Sequence, residues 1–190
     1  MQDSVESETE ELIENIAEAD DELVERYLGG ETLTEDELNA ALRKGTLSKT
    51  FVPVICGSAT KNIGIDLLLD LIVSAMPSPA DRGSISGLDP SNNNEIQRAP
   101  DPDAPFSGYV VKTVADPYAG RLTIFRVVSG SLGADGTFFN SSKDAKERYN
   151  QLLIITGKEQ KPVTSAGPGA VVAAAKLKET TTGNTLCDEN

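Results

Sequence analysis

Apolar and polar positions alternate with two different periods along this chain. In residues 8–28, Leu12, Ile16, Ala19, Leu23 and Tyr27 recur at steps of three and four, which puts them on one stripe of a helix. Gly29-Gly30 closes that helix, because glycine supplies left-handed backbone beyond a C-terminus. Thr34 followed by Glu37 has the spacing of a capping box and predicts a second helix, with Leu38, Ala41 and Leu42 on its buried side. Arg43-Lys44 in the last turn suits the helix dipole, and Gly45 is expected to end the helix. Residues 51–56 are a short run of branched apolar residues that reads as a strand buried on both faces, with Pro53 placing it at an edge or at its beginning. Residues 65–76 predict a strongly apolar helix, stopped by Pro77-Ser78-Pro79. Helix, strand, loop and helix make a piece of an α/β sheet protein.

The period then changes. Residues 80–105 are rich in Pro, Gly, Ser, Asn and Asp and read as a linker with one short strand near 84–88. From Phe106 onward, the segments 107–114, 122–129, 137–140, 147–155, 170–177 and 185–187 are rich in Val, Ile, Thr, Phe and Tyr. Turn residues separate them at short intervals, as in a small sandwich or barrel. The expected organisation is α/β over 1–79, a linker over 80–105 and an all-β barrel over 106–190.

Charge divides the chain at the same place. Residues 1–79 hold 17 acidic and 5 basic side chains, whereas residues 80–190 hold 13 acidic and 12 basic. An acidic first half argues against direct phosphate binding there, while the near-neutral second half can still present a local basic face. The carboxylates of the first helix read as a solvated face, since nothing groups them in a calcium-loop pattern. Histidine is absent, which excludes an imidazole base and the Ser-His-Asp and Cys-His nucleophile systems. Two cysteines, Cys56 and Cys187, are too few for zinc and read as reduced, buried thiols. No apolar run nears the ~20 residues that cross a bilayer, and the acidic start is unlike a signal peptide, so a soluble, cytoplasmic protein is expected.

No Gly-x-x-x-x-Gly-Lys-Ser/Thr loop, no Asp-x-x-Gly and no Asn-Lys-x-Asp occurs in the chain. Even so, Pro53-Val54-Ile55-Cys56-Gly57-Ser58-Ala59-Thr60-Lys61-Asn62-Ile63-Gly64-Ile65 resembles the last guanine-contact element of elongation factor G, and the helix ending in Pro77-Ser78-Pro79 follows it as in that family. Asp116-Pro117-Tyr118-Ala119-Gly120-Arg121-Leu122-Thr123-Ile124-Phe125-Arg126-Val127-Val128-Ser129-Gly130-Ser131-Leu132 resembles the opening hairpin of the family's second domain. Thr180-Thr181-Thr182-Gly183-Asn184-Thr185-Leu186-Cys187-Asp188-Glu189 resembles that domain's last strand, with Asn184 where the family usually shows Asp. Gly157-Lys158-Glu159-Gln160 and Ala166-Gly167-Pro168-Gly169 look more like an elongation-factor-G-like paralogue than the main factor.

The resemblance implies the C-terminal part of a GTP-binding domain followed by a translation-factor-type β-barrel. It implies a parent that hydrolyses GTP with Mg2+ on the ribosome, and a fragment that is monomeric, binds no cofactor and is inactive alone. A tetracycline ribosomal-protection protein or a release-factor GTPase is the nearest rival within the superfamily, and a docking module that works without nucleotide is another. By analogy with the family, Gly57, Ser58 and Ala59 would turn a backbone N–H toward guanine; the plain alternative makes Ser58 the N-cap of the next helix. Lys112, Arg121 and Arg126 would approach small-subunit RNA and protein, or the missing domain. Surface charges or strand-to-strand ion pairs are the bland alternative.

Overall fold

A computed structural model describes residues 2–116 and 120–189 and divides into two compact units, residues 1–77 and 78–190. The first unit holds α1 (Gln2–Ala17), α2 (Asp21–Leu28), α3 (Glu35–Ser48) and α4 (Ile65–Ala75). The single helix expected over 8–28 is therefore two. Asp20 breaks it: its backbone is extended, its carboxylate accepts the Glu22 N–H at 3.2 Å, and the other oxygen holds Lys44 Nζ at 2.6 Å. An N-cap tied to a second helix outweighs the propensity of the neighbouring residues to continue. The capping box of α3 is present, with the Glu37 N–H donating to Thr34 Oγ1 at 3.3 Å and the Thr34 N–H to Glu37 Oε2 at 2.9 Å.

Gly45 does not end α3. The helix runs on to Ser48, and Lys49 takes the left-handed position at φ 64°. Gly45 is buried instead, and a Cβ there would lie 2.2 Å from the Phe51 ring. Glycine stands inside the helix because an aromatic ring occupies the side-chain volume, at a helix-propensity cost of about 1 kcal/mol.

The strand expected at 51–56 is not formed among the described residues. The segment joins no sheet, and Val52 and Val54 are 81% and 89% exposed, whereas Phe51 and Pro53 are half-buried. It keeps the two-residue alternation of a strand, but a ladder needs a neighbour and no named strand lies in this unit. The buried apolar residues of the unit are Ala17, Leu33, Ala41 and Ala75, while Leu67, Leu69 and Val73 of α4 are more than half exposed.

The second unit opens with a short helix α5 (Pro79–Arg82) and a hairpin of β1 (Ile85–Leu88) and β2 (Glu95–Arg98), so the stretch expected as a linker carries a second strand and a helical turn. Ser78 caps α5 through a capping box with Asp81, and Pro79 supplies the preset φ of a first turn. Next come β3 (Ser107–Asp116), β4 (Gly120–Ser129), β5 (Leu132–Gly133), β6 (Gly136–Asn140), β7 (Ala145–Tyr149) and β8 (Leu152–Thr156). They are followed by β9 (Glu159–Val163), β10 (Ser165–Ala166), β11 (Val171–Ala175) and β12 (Thr185–Cys187). Residues 117–119, part of the hairpin resemblance, lie outside the described residues.

Eight strands form one antiparallel sheet in the order β7-β6-β12-β3-β4-β11-β8-β9, and β5 pairs with β10. The run expected as one strand over 147–155 splits between β7 and β8, at Asn150-Gln151. Pro162 sits in β9, the edge strand, where a missing N–H is tolerated. One core cluster joins Tyr149 from one edge strand to Leu152 near the other, with Phe106, Phe125, Phe138, Val127 and Leu186 between them. A flat sheet could not bring these together, so the sheet is rolled around its core like a barrel. Phe125 meets Phe106 and Phe138 edge-on, and Phe138 stacks on Tyr149 with centroids 5.2 Å apart.

Candidate functional site

Residues 57–64 form a closed turn. The Ser58 N–H donates to Ile63 O at 2.9 Å, and the Ile63 N–H returns to Ser58 O at 3.1 Å. Inside the turn, the Lys61 N–H reaches Ser58 O at 3.2 Å and the Asn62 N–H reaches Ala59 O at 3.3 Å. A Cβ on Gly57 would lie 3.0 Å from Ile63 O, so the close crossing of the two backbones calls for glycine. Gly64, at φ 71°, is the N-cap of α4 and offers no side-chain cap. Ser58 is therefore not the N-cap; its hydroxyl faces Thr60 Oγ1 at 3.5 Å. Among the described residues the Ala59 N–H has no hydrogen-bond partner, and Ala59 is exposed. One free donor held by its neighbours' hydrogen bonds, beside small side chains, fits the carbonyl edge of a planar base. It supplies a single bond and no phosphate cradle. Among the described residues no three His, Cys, Asp or Glu side chains converge as metal ligands.

The three candidate basic residues of the barrel, Lys112, Arg121 and Arg126, do not share one face. Arg121 and Arg126 are five residues apart on β4, so they point to opposite faces. Arg121 shares its face with Thr123, Phe125 and Val127, which are buried. Its Nη2 donates to Lys178 O at 3.2 Å and to Thr180 O, while its Nε is buried without a partner. Arg121 thus holds the 178–180 backbone rather than a surface. Arg126 pairs across strands with Tyr109, and Lys112 with Ile124, a same-face neighbour of Arg126. A bulge between Val110 and Lys112 keeps Lys112 on the outer face, so Lys112, Tyr109 and Arg126 share it. No helix is long and apolar enough to cross a membrane among the described residues.

A buried polar network that the sequence did not announce lies on the other side of the 178–180 segment. Glu147 accepts the N–H groups of Lys178, Glu179 and Thr180 at 2.6, 2.9 and 2.7 Å, and the Thr180 hydroxyl at 2.7 Å. Asn140 Nδ2 donates to Thr180 Oγ1 at 3.0 Å and to Asn184 Oδ1 at 3.1 Å. Asn184 Oδ1 also accepts the Thr181 N–H at 2.9 Å. Asn184 works here as an acceptor, which is what the carboxylate usual at this position in the resembling family would also supply. The sequence signal was present only as the period-two placement of Glu147 and Asn140 on inward positions.

Residues 105–189 match the family model described as Elongation factor G domain 2. Among solved structures, the chain is similar over its whole length to a crystal structure of a protein from Thermus thermophilus, with 26% identity and a TM-score of 0.77. The chain covers 26% of that longer protein.

Proposed function

Since residues 105–189 form an elongation-factor-G-type second domain and the chain is elongation-factor-G-like, we propose that it is part of a ribosome-dependent GTPase acting in translation in the cytoplasm. The observation that carries this reading is the segment 51–64. It alternates half-buried and exposed residues over 51–54 yet joins no sheet, it turns back through a closed loop with the free Ala59 N–H at its tip, and it leads into a helix whose apolar faces are uncovered. This has the form of a sheet strand and its following helix without the sheet, and a quarter-length match to a longer chain agrees with it. In the parent, GTP with its Mg2+ supplies the γ-phosphate that a positioned water attacks. The part of this chain is narrower. Gly57 and Ser58 hold the turn, and the Ala59 N–H reads the guanine carbonyl. Lys112 and Arg126 rest the barrel's outer face on small-subunit RNA, and Arg121 stays within the fold. One donor without the phosphate loop cannot hold a nucleotide, so residues 1–190 alone do not hydrolyse GTP.

The full-length protein carrying Ala59→Pro, which deletes that donor, should bind GTP about tenfold more weakly. Unchanged affinity would remove the turn from the guanine site. Lys112→Glu with Arg126→Glu should abolish salt-sensitive co-sedimentation of residues 1–190 with small ribosomal subunits. If full-length GTP hydrolysis were indifferent to ribosomes, the translational reading itself would fall.

A further inference from the structure

The second unit carries a groove of about 440 Å3 whose wall comes from α5, the β1–β2 hairpin and the outer face of β3 and β4. Three arginines line it, Arg82, Arg98 and Arg126, together with Tyr109, Val111 and Ile85, and no carboxylate does. Among the described residues none of these three guanidinium groups makes an ion pair or donates a hydrogen bond. Arg98 is felt at longer range by Asp89, whose carboxyl is held low chiefly by the Ser91 hydroxyl and only last by Arg98. Three like charges without ion-pair partners in one concavity give the groove a local positive field, against a chain of net charge −13, and that field favours an anion.

The rest of the lining says what kind of anion. Tyr109 is half exposed and is the cross-strand partner of Arg126, so an open aromatic ring lies beside a guanidinium. Ile85 and Val111, also exposed, extend the flat apolar surface. Guanidinium forks match phosphate oxygens, and a phenol ring with apolar neighbours matches the face of a base. An acidic peptide would use the arginines but leave the ring idle. We propose that this groove binds a nucleotide unit, with the phosphate on Arg82, Arg98 and Arg126 and the base against Tyr109. The unit is either one link of an RNA strand or a free nucleotide. The site lies apart in sequence from the turn at 57–64. It deepens the docking reading, with which it shares Arg126.

Residues 1–190 would be titrated by fluorescence anisotropy with a labelled oligouridylate, and by displacement with uridine monophosphate, over about 50 to 200 mM salt. The expected result is salt-sensitive binding whose log–log slope is about −0.7, as neutralising one phosphate of a single strand gives. Arg82→Gln with Arg98→Gln should weaken it at least about tenfold. Tyr109→Ala should weaken it by about tenfold, at an unchanged thermal midpoint. Full displacement by the mononucleotide identifies a free nucleotide as ligand, whereas failure to displace identifies a strand; both support the groove. The proposal is overturned if neither ligand binds, if the arginine substitutions change nothing, or if polyglutamate competes equally and Tyr109→Ala has no effect. Small-subunit co-sedimentation of the Arg82→Gln, Arg98→Gln variant separates the two readings. If subunits still bind while the oligonucleotide does not bind even to the parent chain, only the groove fails. If the oligonucleotide binds and subunits do not, only the docking reading fails.

Discussion

The two units of this chain spend their apolar residues differently. The barrel closes four aromatic rings and the side chains of nine strands into one cluster of buried residues. Among the described residues the helical unit buries three alanines and one leucine and leaves most large residues of α4, with Val52, Val54 and Ile55, exposed. Hydrophobic stabilisation scales with the apolar area removed from water, so the barrel is supported by its own core. The helical unit rests more on caps and ion pairs, and it leaves a broad apolar surface open on α4. Composition alone would not separate them: α4 is among the most apolar segments of the chain.

The sharpest way to break this contrast is to truncate one large side chain in each unit. Phe125→Ala should cost about 3–5 kcal/mol in chemical denaturation, while Leu69→Ala in α4 should stay within about 0.5 kcal/mol. Comparable losses would mean that the helical unit has a core after all. Glu147→Ala should come next, at ~3 kcal/mol, because three N–H groups and a hydroxyl lose their shared acceptor. Amide exchange should then rise first across residues 178–180, and a uniform rise over the whole barrel would show that the network is not local. In the helical unit Thr34→Ala should cost ~1 kcal/mol through loss of the capping box, read as helicity by circular dichroism.

The smallest effect is pH. Hydrogen bonds from Arg26, then from the Thr34 backbone and side chain, pull the Glu37 carboxyl from its ordinary 4.5 down to about 2. A folded value below the unfolded one stabilises fully above pH 4.5 and is lost as pH falls toward 2. Asp20 is lowered in the same direction, first by its bond from Lys44. Acidification through that window should therefore loosen the helical unit, seen as amide exchange in α2 and α3, before it reaches the strands of the central sheet. Loss of β3 and β4 protection first would contradict this.

The barrel was legible because alternation is a local property: β3 and β4 announce themselves by branched residues between turn residues, whereas β5, β9 and β10 carry no such run and fall outside the expected segments. Its errors were local too, such as the missed Asn150-Gln151 turn within one apolar run. The helical unit was read well where a cap carries the signal, as at Thr34, and badly where tertiary contact decides. Gly45 has the sequence mark of a stop, yet it is the seat of Phe51. Asp20 looks like one more carboxylate on a solvated face, yet it divides two helices. Residues 51–56 have a strand's composition, but hydrogen-bond partners cannot be read from one segment. Among the candidate basic residues, counting parity along β4 would already have set Arg121 apart from Arg126. The arginines at 82 and 98 carried no local pattern, since only the folding of α5 and the hairpin against the sheet brings them into one groove with Arg126.

The left-handed Gly169, at φ 88°, lies so close to Pro79 that an added methyl group would sit 2.3 Å from the proline ring. That ring is in effect a tile set into the outside of the sheet, seated nearly thirty positions before the first long strand begins. Anyone preparing the β-rich half by itself should therefore start upstream of Ser78. A piece begun at Pro105 would leave the tile's socket bare and lose two of the groove's three cations.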